Sequence, residues 1–361
     1  MKIILSFIIS LFCISCNSDK KTNKELDKFN SPNEVLIGAI RWDAWSGGEI
    51  TRQVERTLGP KKYHHRLPWF SKILNDSTVV MDGSQQEVMD KEIEFASYSG
   101  IDYWAFLLYP ESESMSYALQ QYLKSDQRNK INFCLILHNA FGVNEEQWPK
   151  ERDRAIALLK EPGYQKVLDN RPLVFAFGLS YQGKNERFAD FLKTAHNENL
   201  NPYTVFMGWN PLNDYKNESP LGFDAVSAYA MGSDDRTYSQ LCERVEENYW
   251  MNAATGQVPY IPLITTGWDK NPRKDNPVSW ELGDSYHQQD FFPSTATPEE
   301  IATHLERGLN FVRNNPKICV ANTVIVYAWN EYDEGGWLSP TLGNQNQPVT
   351  DRLNAIKRIV E

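Results

Sequence analysis

The sequence predicts an α/β fold, a (β/α)8 barrel of the TIM type in a single domain, and three observations carry that prediction. Eight short apolar runs recur along the 361 residues. Stretches with helical spacing lie between most of them. No glycine-rich phosphate turn follows the first run, which counts against the competing doubly wound open sheet. Eight β-α units in a chain of this length are the mark of the barrel.

The runs cover residues 35–42, 101–109, 131–138, 172–178, 203–209, 223–229, 260–268 and 323–329. Each is nearly continuously apolar, as a strand buried on both faces must be. Residues 85–99 place Val88, Ile93, Phe95 and Ala96 among Glu, Asp and Lys, the pattern of an amphipathic helix. Residues 187–197, 238–252 and 298–314 read the same way, and a last helix runs over about 349–360. The start at 298 is the best marked. Thr297 precedes Pro298, Glu299 and Glu300, so proline occupies the first turn and two acids face the helix dipole. Residues 44–84 and 269–297 far exceed the usual barrel connections of roughly 2–6 residues. They carry Trp45, His64, His65, Trp69, Trp280, Tyr286, His287, Phe291 and Phe292. The expectation is that they wall the cleft at the catalytic rim. Adjacent histidines cannot easily share one ion, so His64 and His65 are read as packing or hydroxyl-contacting groups, and no metal is expected.

The N-terminus is a targeting segment. Lys2 precedes an apolar run over 3–14, too short for the roughly 20 residues that span a bilayer. The run ends Cys13-Ile14-Ser15-Cys16, which resembles a bacterial lipoprotein box with Cys16 as the lipidated residue. Residues 1–15 are thus the signal, 16–33 a polar tether and 34–361 the barrel. Cleavage removes Lys2 and changes the net charge from −10 to −11. With no basic cluster to offset it, this charge excludes a nucleic-acid phosphate partner. The remaining cysteines, Cys134, Cys242 and Cys319, show no zinc spacing and read as buried small hydrophobes.

In a barrel the chemistry sits at the C-terminal ends of the strands. Read in order, these ends supply Trp42, Asp43 and Trp45, then Tyr109, then His138 and Asn139. Trp209 and Asn210 follow, then Tyr229, then Trp268 and Asp269, and the last strand adds Asn330 and Trp337. Aromatic rings cover the C–H faces of sugars, and carboxylates, amides and imidazoles bond their hydroxyls. That mixture, repeated at seven of eight strand ends, marks these residues as substrate-binding candidates. Glu331 and Glu334 are the catalytic candidates. Three residues apart in a turn past a strand, both can face one cavity. Acetal cleavage needs one protonated carboxyl for the leaving oxygen and one carboxylate opposite it. Proximity of like charges and partial burial would raise one of the two pKa values. Asp333 between them is expected to face solvent or cap the turn, and Gly335-Gly336 to let backbone approach a ligand.

The segment Tyr327-Ala328-Trp329-Asn330-Glu331-Tyr332-Asp333-Glu334-Gly335-Gly336-Trp337-Leu338-Ser339-Pro340 resembles an A-W-N-E-W-x-E-G-x-x-L-E-P signature. That signature belongs to the glycoside hydrolase family 99-like (WbsX-like) proteins, relatives of endo-α-mannosidases. Gly267-Trp268-Asp269-Lys270-Asn271-Pro272-Arg273 is similar to their G-W-D-N-x-P-R segment after strand seven. Ala96, Gly100-Ile101-Asp102-Tyr103 and Phe106 match their entry to strand two. The resemblance spans roughly residues 35–345. It implies a retaining glycosidase that works without a cofactor. It also implies that Glu331 deprotonates the substrate's own 2-hydroxyl, and that Glu334 is the acid/base for the leaving group. Tyr332 stands where the signature has Trp, Ser339 where it has Glu, and the first strand ends Arg41-Trp42-Asp43-Ala44-Trp45 rather than in a tyrosine- and phenylalanine-rich opening.

The expected partners are therefore an oligo- or polysaccharide with an α-linkage, a membrane reached through lipid on Cys16, and a glycan-uptake machinery of the bacterial envelope, the chain itself being a monomer. The competing reading is a non-catalytic, glycan-binding surface lipoprotein with a degenerate barrel. A glycosyltransferase lacks support, because no DxD-like motif stands at a strand end.

Overall fold

A computed structural model describes residues 34–178 and 184–361, of which Val35–Glu361 form one compact unit. The signal, the tether and Cys16 lie outside the described residues. The eight expected strands are all present: β1 (Leu36–Arg41), β2 (Tyr103–Leu108), β3 (Asn132–Leu137), β4 (Arg171–Phe177), β5 (Tyr203–Met207), β6 (Ala225–Ser227), β7 (Leu263–Thr265) and β8 (Thr323–Tyr327). Their order in the sheet is β7-β8-β1-β2-β3-β4-β5-β6, every pair parallel. A parallel bridge from Val226 to Tyr260 joins the two ends. There Val226 N–H donates to Pro259 O at 3.0 Å and Ile261 N–H to Val226 O at 3.1 Å. The sheet is thereby a closed (β/α)8 barrel. Every residue of β2, β5 and β8 is buried, which is why their sequences are apolar without alternation. The apolar runs overshoot the ladders because residues such as Tyr109, Tyr229 and Trp268 leave the sheet at its C-terminal end and enter the cleft above it.

The helices of eight or more residues among those described are α1 (Gly48–Leu58), α2 (Gln86–Ser99), α3 (Tyr117–Lys124), α4 (Trp148–Leu158), α5 (Lys184–Asn197), α6 (Pro211–Glu218), α7 (Tyr238–Val245), α8 (Pro298–Asn314) and α9 (Asp351–Val360). Helix α8 keeps its expected bounds for the expected reason. The Thr297 hydroxyl accepts from Glu300 N–H while the Glu300 carboxylate accepts from Thr297 N–H, a reciprocal cap. Helix α2 stops where Gly100 takes a left-handed conformation, φ 84°. The single helix expected over 238–252 is α7 followed by a wider turn, Glu246–Met251, and a short helix, Asn252–Gly256.

The segment over 44–84 is not a plain loop. It contains α1 and an antiparallel hairpin of Ser71–Asn75 with Thr78–Met81. Helix α1 buries Thr51, Gln53 and Thr57 beside Val54 and Leu58, so its inner face is half polar although Ile50, Val54 and Leu58 recur at helical spacing. Cys134, Cys242 and Cys319 are buried free thiols. No helix among the described residues is long and apolar enough to cross a membrane.

Candidate active site

The site is built from the turn after β8. Asn330–Glu331 pairs antiparallel with Gly336–Trp337, and between them Tyr332–Glu334 forms one tight turn closed by Gly335 at φ 83°. Gly267 and Gly335 set how this turn packs. A Cβ on Gly267 would lie 2.2 Å from Gly335 O, and one on Gly335 would lie 2.5 Å from Asp269 N. They let the turn after β8 pack backbone to backbone on the segment after β7, where Asp269 N–H donates to Glu334 O at 2.7 Å. That contact brings Lys270 and Arg273 against the two glutamates.

Glu331, Asp333 and Glu334 are all buried. Arg273, itself 1% exposed, ties them together. It holds Asp333 by two bonds, 2.7 Å from Nε and 3.1 Å from Nη2, and it donates to Glu281 at 2.8 Å and to Glu334. Glu331 lies 3.9 Å from the same guanidinium. Lys270 Nζ stands 2.9 Å from Glu281 and 3.2 Å from Glu334. Asp333 therefore neither faces solvent nor caps the turn. A guanidinium buried this deeply needs a bidentate carboxylate, and Asp333 supplies it.

The two glutamates are electrostatically unlike. The Tyr229 hydroxyl donates to Glu331 Oε1 at 2.6 Å, while Oε2 is buried with no hydrogen-bond partner among the described residues. Burial, and then the neighbouring Glu334 carboxylate, push Glu331 well above the usual carboxylate range. Burial would raise Glu334 too. The charges of Arg273 and Lys270, with the Tyr327 hydroxyl, outweigh it and hold Glu334 low, at about 2. The two carboxyls titrate as a pair, in which burial favours a proton on Glu331 and the two cations favour the charge on Glu334. The expectation that one pKa rises is met at Glu331, whereas the acid role implied by the resemblance falls on Glu334.

Above the pair the cleft has two lobes. The first, about 400 Å³, is walled by Trp42, Tyr109, His138, Asn139, Phe177, Trp280 and Tyr229, with Glu331 on its floor. Trp42 Nε1–H donates to the Tyr109 hydroxyl at 3.0 Å, and Trp42 and Trp280 have ring centroids 6.0 Å apart. The second lobe, about 500 Å³, is walled by Phe177, Trp209, Tyr229, Trp268, Lys270 and Tyr286. Phe177 stacks on Tyr229 at 4.5 Å between the lobes, and Glu281 and Glu334 line both.

The structure thus brings Trp42, Tyr109, His138, Asn139, Trp209, Tyr229 and Trp268 around Glu331 and Glu334. The other strand-end candidates are engaged in contacts elsewhere, Asn210 on the surface and the rest within the fold. Asp43 pairs with Arg41 at 2.8 Å and accepts from Asn330 at 3.1 Å, and burial raises its pKa to about 6. Asn330 also accepts from Trp42 N–H at 2.9 Å, joining β1 to the β8 turn. Trp45 packs edge-on against Tyr332, and Trp337 lies 3.6 Å beneath the Arg352 guanidinium. Asp269 is bound by Arg66, and Asn210 caps α6 by accepting from Asn213 N–H at 3.2 Å. His64 bonds Gly59 O at 2.8 Å, and Trp69 packs on Phe70 and Phe95. The wall from 269–297 is therefore real, whereas 44–84 contributes mainly Ile50. The site residues missed at the strand ends are Arg273, Lys270, Glu281, Phe177 and Tyr327. Arg273 and Lys270 stand in the segment already singled out after β7, and Phe177 and Tyr327 are the last residues of β4 and β8.

No protein-family model and no curated protein matches this sequence. Among solved structures, the fold is similar to that of the GH99 endo-α-mannosidase from Bacteroides thetaiotaomicron. The match has a TM-score of 0.54 and 11% identity over 90% of this chain and 94% of that one. A second structure of the endo-α-mannosidase from that organism matches with the same TM-score and identity, over 90% of this chain and 95% of the other. This chain therefore shares the (β/α)8 fold of that glycoside hydrolase across nearly its whole barrel.

Proposed function

We propose that the chain is a glycoside hydrolase that cleaves an α-linked glycan with Glu331 and Glu334. One observation carries the reading. Two buried carboxyls, Glu331 and Glu334, share one cleft beneath walls of Trp, Tyr and Phe, and Glu331 Oε2 has no hydrogen-bond partner among the described residues. Aromatic walls suit sugar faces, and a paired acid and carboxylate suit acetal cleavage. Because both lobes meet at Glu334, a chain can extend on either side of the cleaved bond.

Hydrolysis is retaining in this reading, with the substrate's 2-oxygen replacing an enzyme nucleophile. Glu331 takes the 2-hydroxyl proton as that oxygen attacks the anomeric carbon, and Glu334 protonates the departing oxygen; water then attacks the same carbon and gives a proton to Glu334 as the bond to the 2-oxygen breaks and Glu331 returns its proton there. The first step needs the proton on Glu334, whereas burial and the cations of the free site favour it on Glu331. Substrate binding supplies the difference. A sugar hydroxyl donating to Glu331 favours its carboxylate, and a leaving oxygen that displaces Lys270 from Glu334 favours its acid. The test is a panel of α-linked glycans assayed for new reducing ends. Binding without any turnover would instead identify a glycan-binding protein. The same reading places the enzyme at the bacterial envelope on a lipid carried by Cys16. Mass spectrometry of the mature N-terminus should find a di- or triacylated cysteine, and an unmodified start elsewhere would refute the anchor.

A further inference from the structure

We propose that Glu281, in the segment after β7, is a positioning residue that sets the protonation of the Glu331/Glu334 pair through Arg273 and Lys270, and that Gln53 of α1 holds it there. This rests on the glycosidase reading of the site. Glu281 lies 50 residues before Glu331 and belongs to none of the motifs in the strand-end turns. It nevertheless shares both cations of Glu334, at 2.8 Å from Arg273 and 2.9 Å from Lys270. Since the two carboxylates reach the same ammonium, their oxygens lie within about 6 Å, close enough for one charge to move the other's titration. Three carboxyl groups, Asp333, Glu334 and Glu281, thus share two cations. Without Glu281, those cations would act on Glu334 and Glu331 undiluted.

The placement of Glu281 is built rather than incidental. Gln53, 7% exposed, closes a two-point clasp on Ser279. Its Oε1 accepts from Ser279 N–H at 2.7 Å, and its Nε2 donates to Ser279 Oγ at 3.0 Å. Arg56, one turn further along α1, donates to Pro277 O. These bonds fix residues 277–279 against α1, so the next two side chains, Trp280 and Glu281, turn into the cleft. This also gives α1 its purpose, since its half-polar inner face carries the clasp. The groups facing the pair are Arg273 and Lys270 after β7, Asp333 in the β8 turn, Tyr229 after β6, Tyr109 after β2, Tyr327 on β8, and Glu281, Asp284 and Tyr286 from the clasped segment.

Removing the negative charge of Glu281 should make both carboxyls of the pair lose their protons more readily. In Glu281→Gln, both limbs of the pH–rate profile should move to lower pH by about one unit. Glu281→Asp, which keeps the charge, should lie closer to the wild type. Gln53→Ala should shift the limbs in the same direction by less, and it remains informative if Glu281→Gln fails to fold. The same titration can be read without turnover by 13C-carboxyl NMR of glutamate-labelled chain, with Glu331 and Glu334 assigned from their Gln variants. If wild-type chain cleaves no glycan but the NMR shift appears, the hydrolase reading falls and the role of Glu281 stands. Limbs and NMR titrations unmoved in Glu281→Gln would overturn the inference.

Discussion

Replacing Arg273 by Met tests how the buried cluster is held together. Its guanidinium makes two bonds to Asp333 and one each to Glu281 and Glu334, all within a region nearly closed to water. Methionine fills similar volume and supplies none of them, so buried carboxylates lose their main counter-charge. Breaking a buried ionic network in this way costs about 3–5 kcal/mol. For an ordered chain of this size, that is a fall in melting temperature on the order of 5 °C. The loss should depend on pH with a defined sign. Glu334 is held below its unfolded value, so its stabilisation is complete above that value, near 4.3, and fades as pH falls toward about 2. Urea unfolding of wild type and variant should therefore differ most at neutral pH and converge under acid. A double variant with Asp333→Asn should lose less than Arg273→Met alone would suggest, because one stranded charge is gone. Equal stability at pH 7, or a deficit that does not shrink with acid, would refute the account of Arg273.

Three further outcomes follow from the same geometry. Tyr229→Phe removes the 2.6 Å bond that favours the Glu331 carboxylate, so the alkaline limb of the pH–rate profile should rise by about one unit, while an unmoved limb would sever Tyr229 from the pair. Trp209, 58% exposed on the wall of the second lobe, should change stability by less than about 0.5 kcal/mol when replaced by Ala, yet weaken KM for longer oligosaccharides about fivefold. Gly267→Ala, at φ 143° and with a Cβ only 2.2 Å from Gly335 O, should cost more than about 2 kcal/mol, read as lost soluble yield and a lowered melting temperature.

The elements that could be read from sequence were those whose local chemistry and burial agree. The strands β2, β5 and β8 are buried throughout, so their runs are plain, and α8 announces itself through Thr297, Pro298 and Glu300. Helix α1 carries a helical signal in Ile50, Val54 and Leu58, but it lies inside a connection read only as a long loop, and its buried Gln53 and Thr57 serve contacts to Ser279 and Asp333 that no local pattern announces. At the site, Glu331 and Glu334 stood out by spacing and resemblance. The charges that tune them did not, because Arg273 and Lys270 act from a different loop and Glu281 from farther along it. Asp333 was misjudged for the same reason. Its partner, 60 residues earlier, is apparent only once the β7 and β8 turns are packed on Gly267 and Gly335. Asp43, Asn330 and Trp337 have the right chemistry at the right strand ends. Their side chains are consumed in joining β1, β8 and α9.

The central claim is that Glu331 and Glu334 perform acetal cleavage with one proton between them. It is tested most directly by turnover of the two Gln variants on a natural α-glycan and on a glycoside whose leaving group needs no protonation. Glu334→Gln should slow the natural substrate by about 10²–10⁴-fold and the activated one much less. Glu331→Gln should impair both, and a 2-deoxy substrate should not be turned over by wild type. Near wild-type turnover of the natural glycan by either variant, rescue of Glu331→Gln rather than Glu334→Gln by the activated leaving group, or normal cleavage of the 2-deoxy substrate would contradict the account.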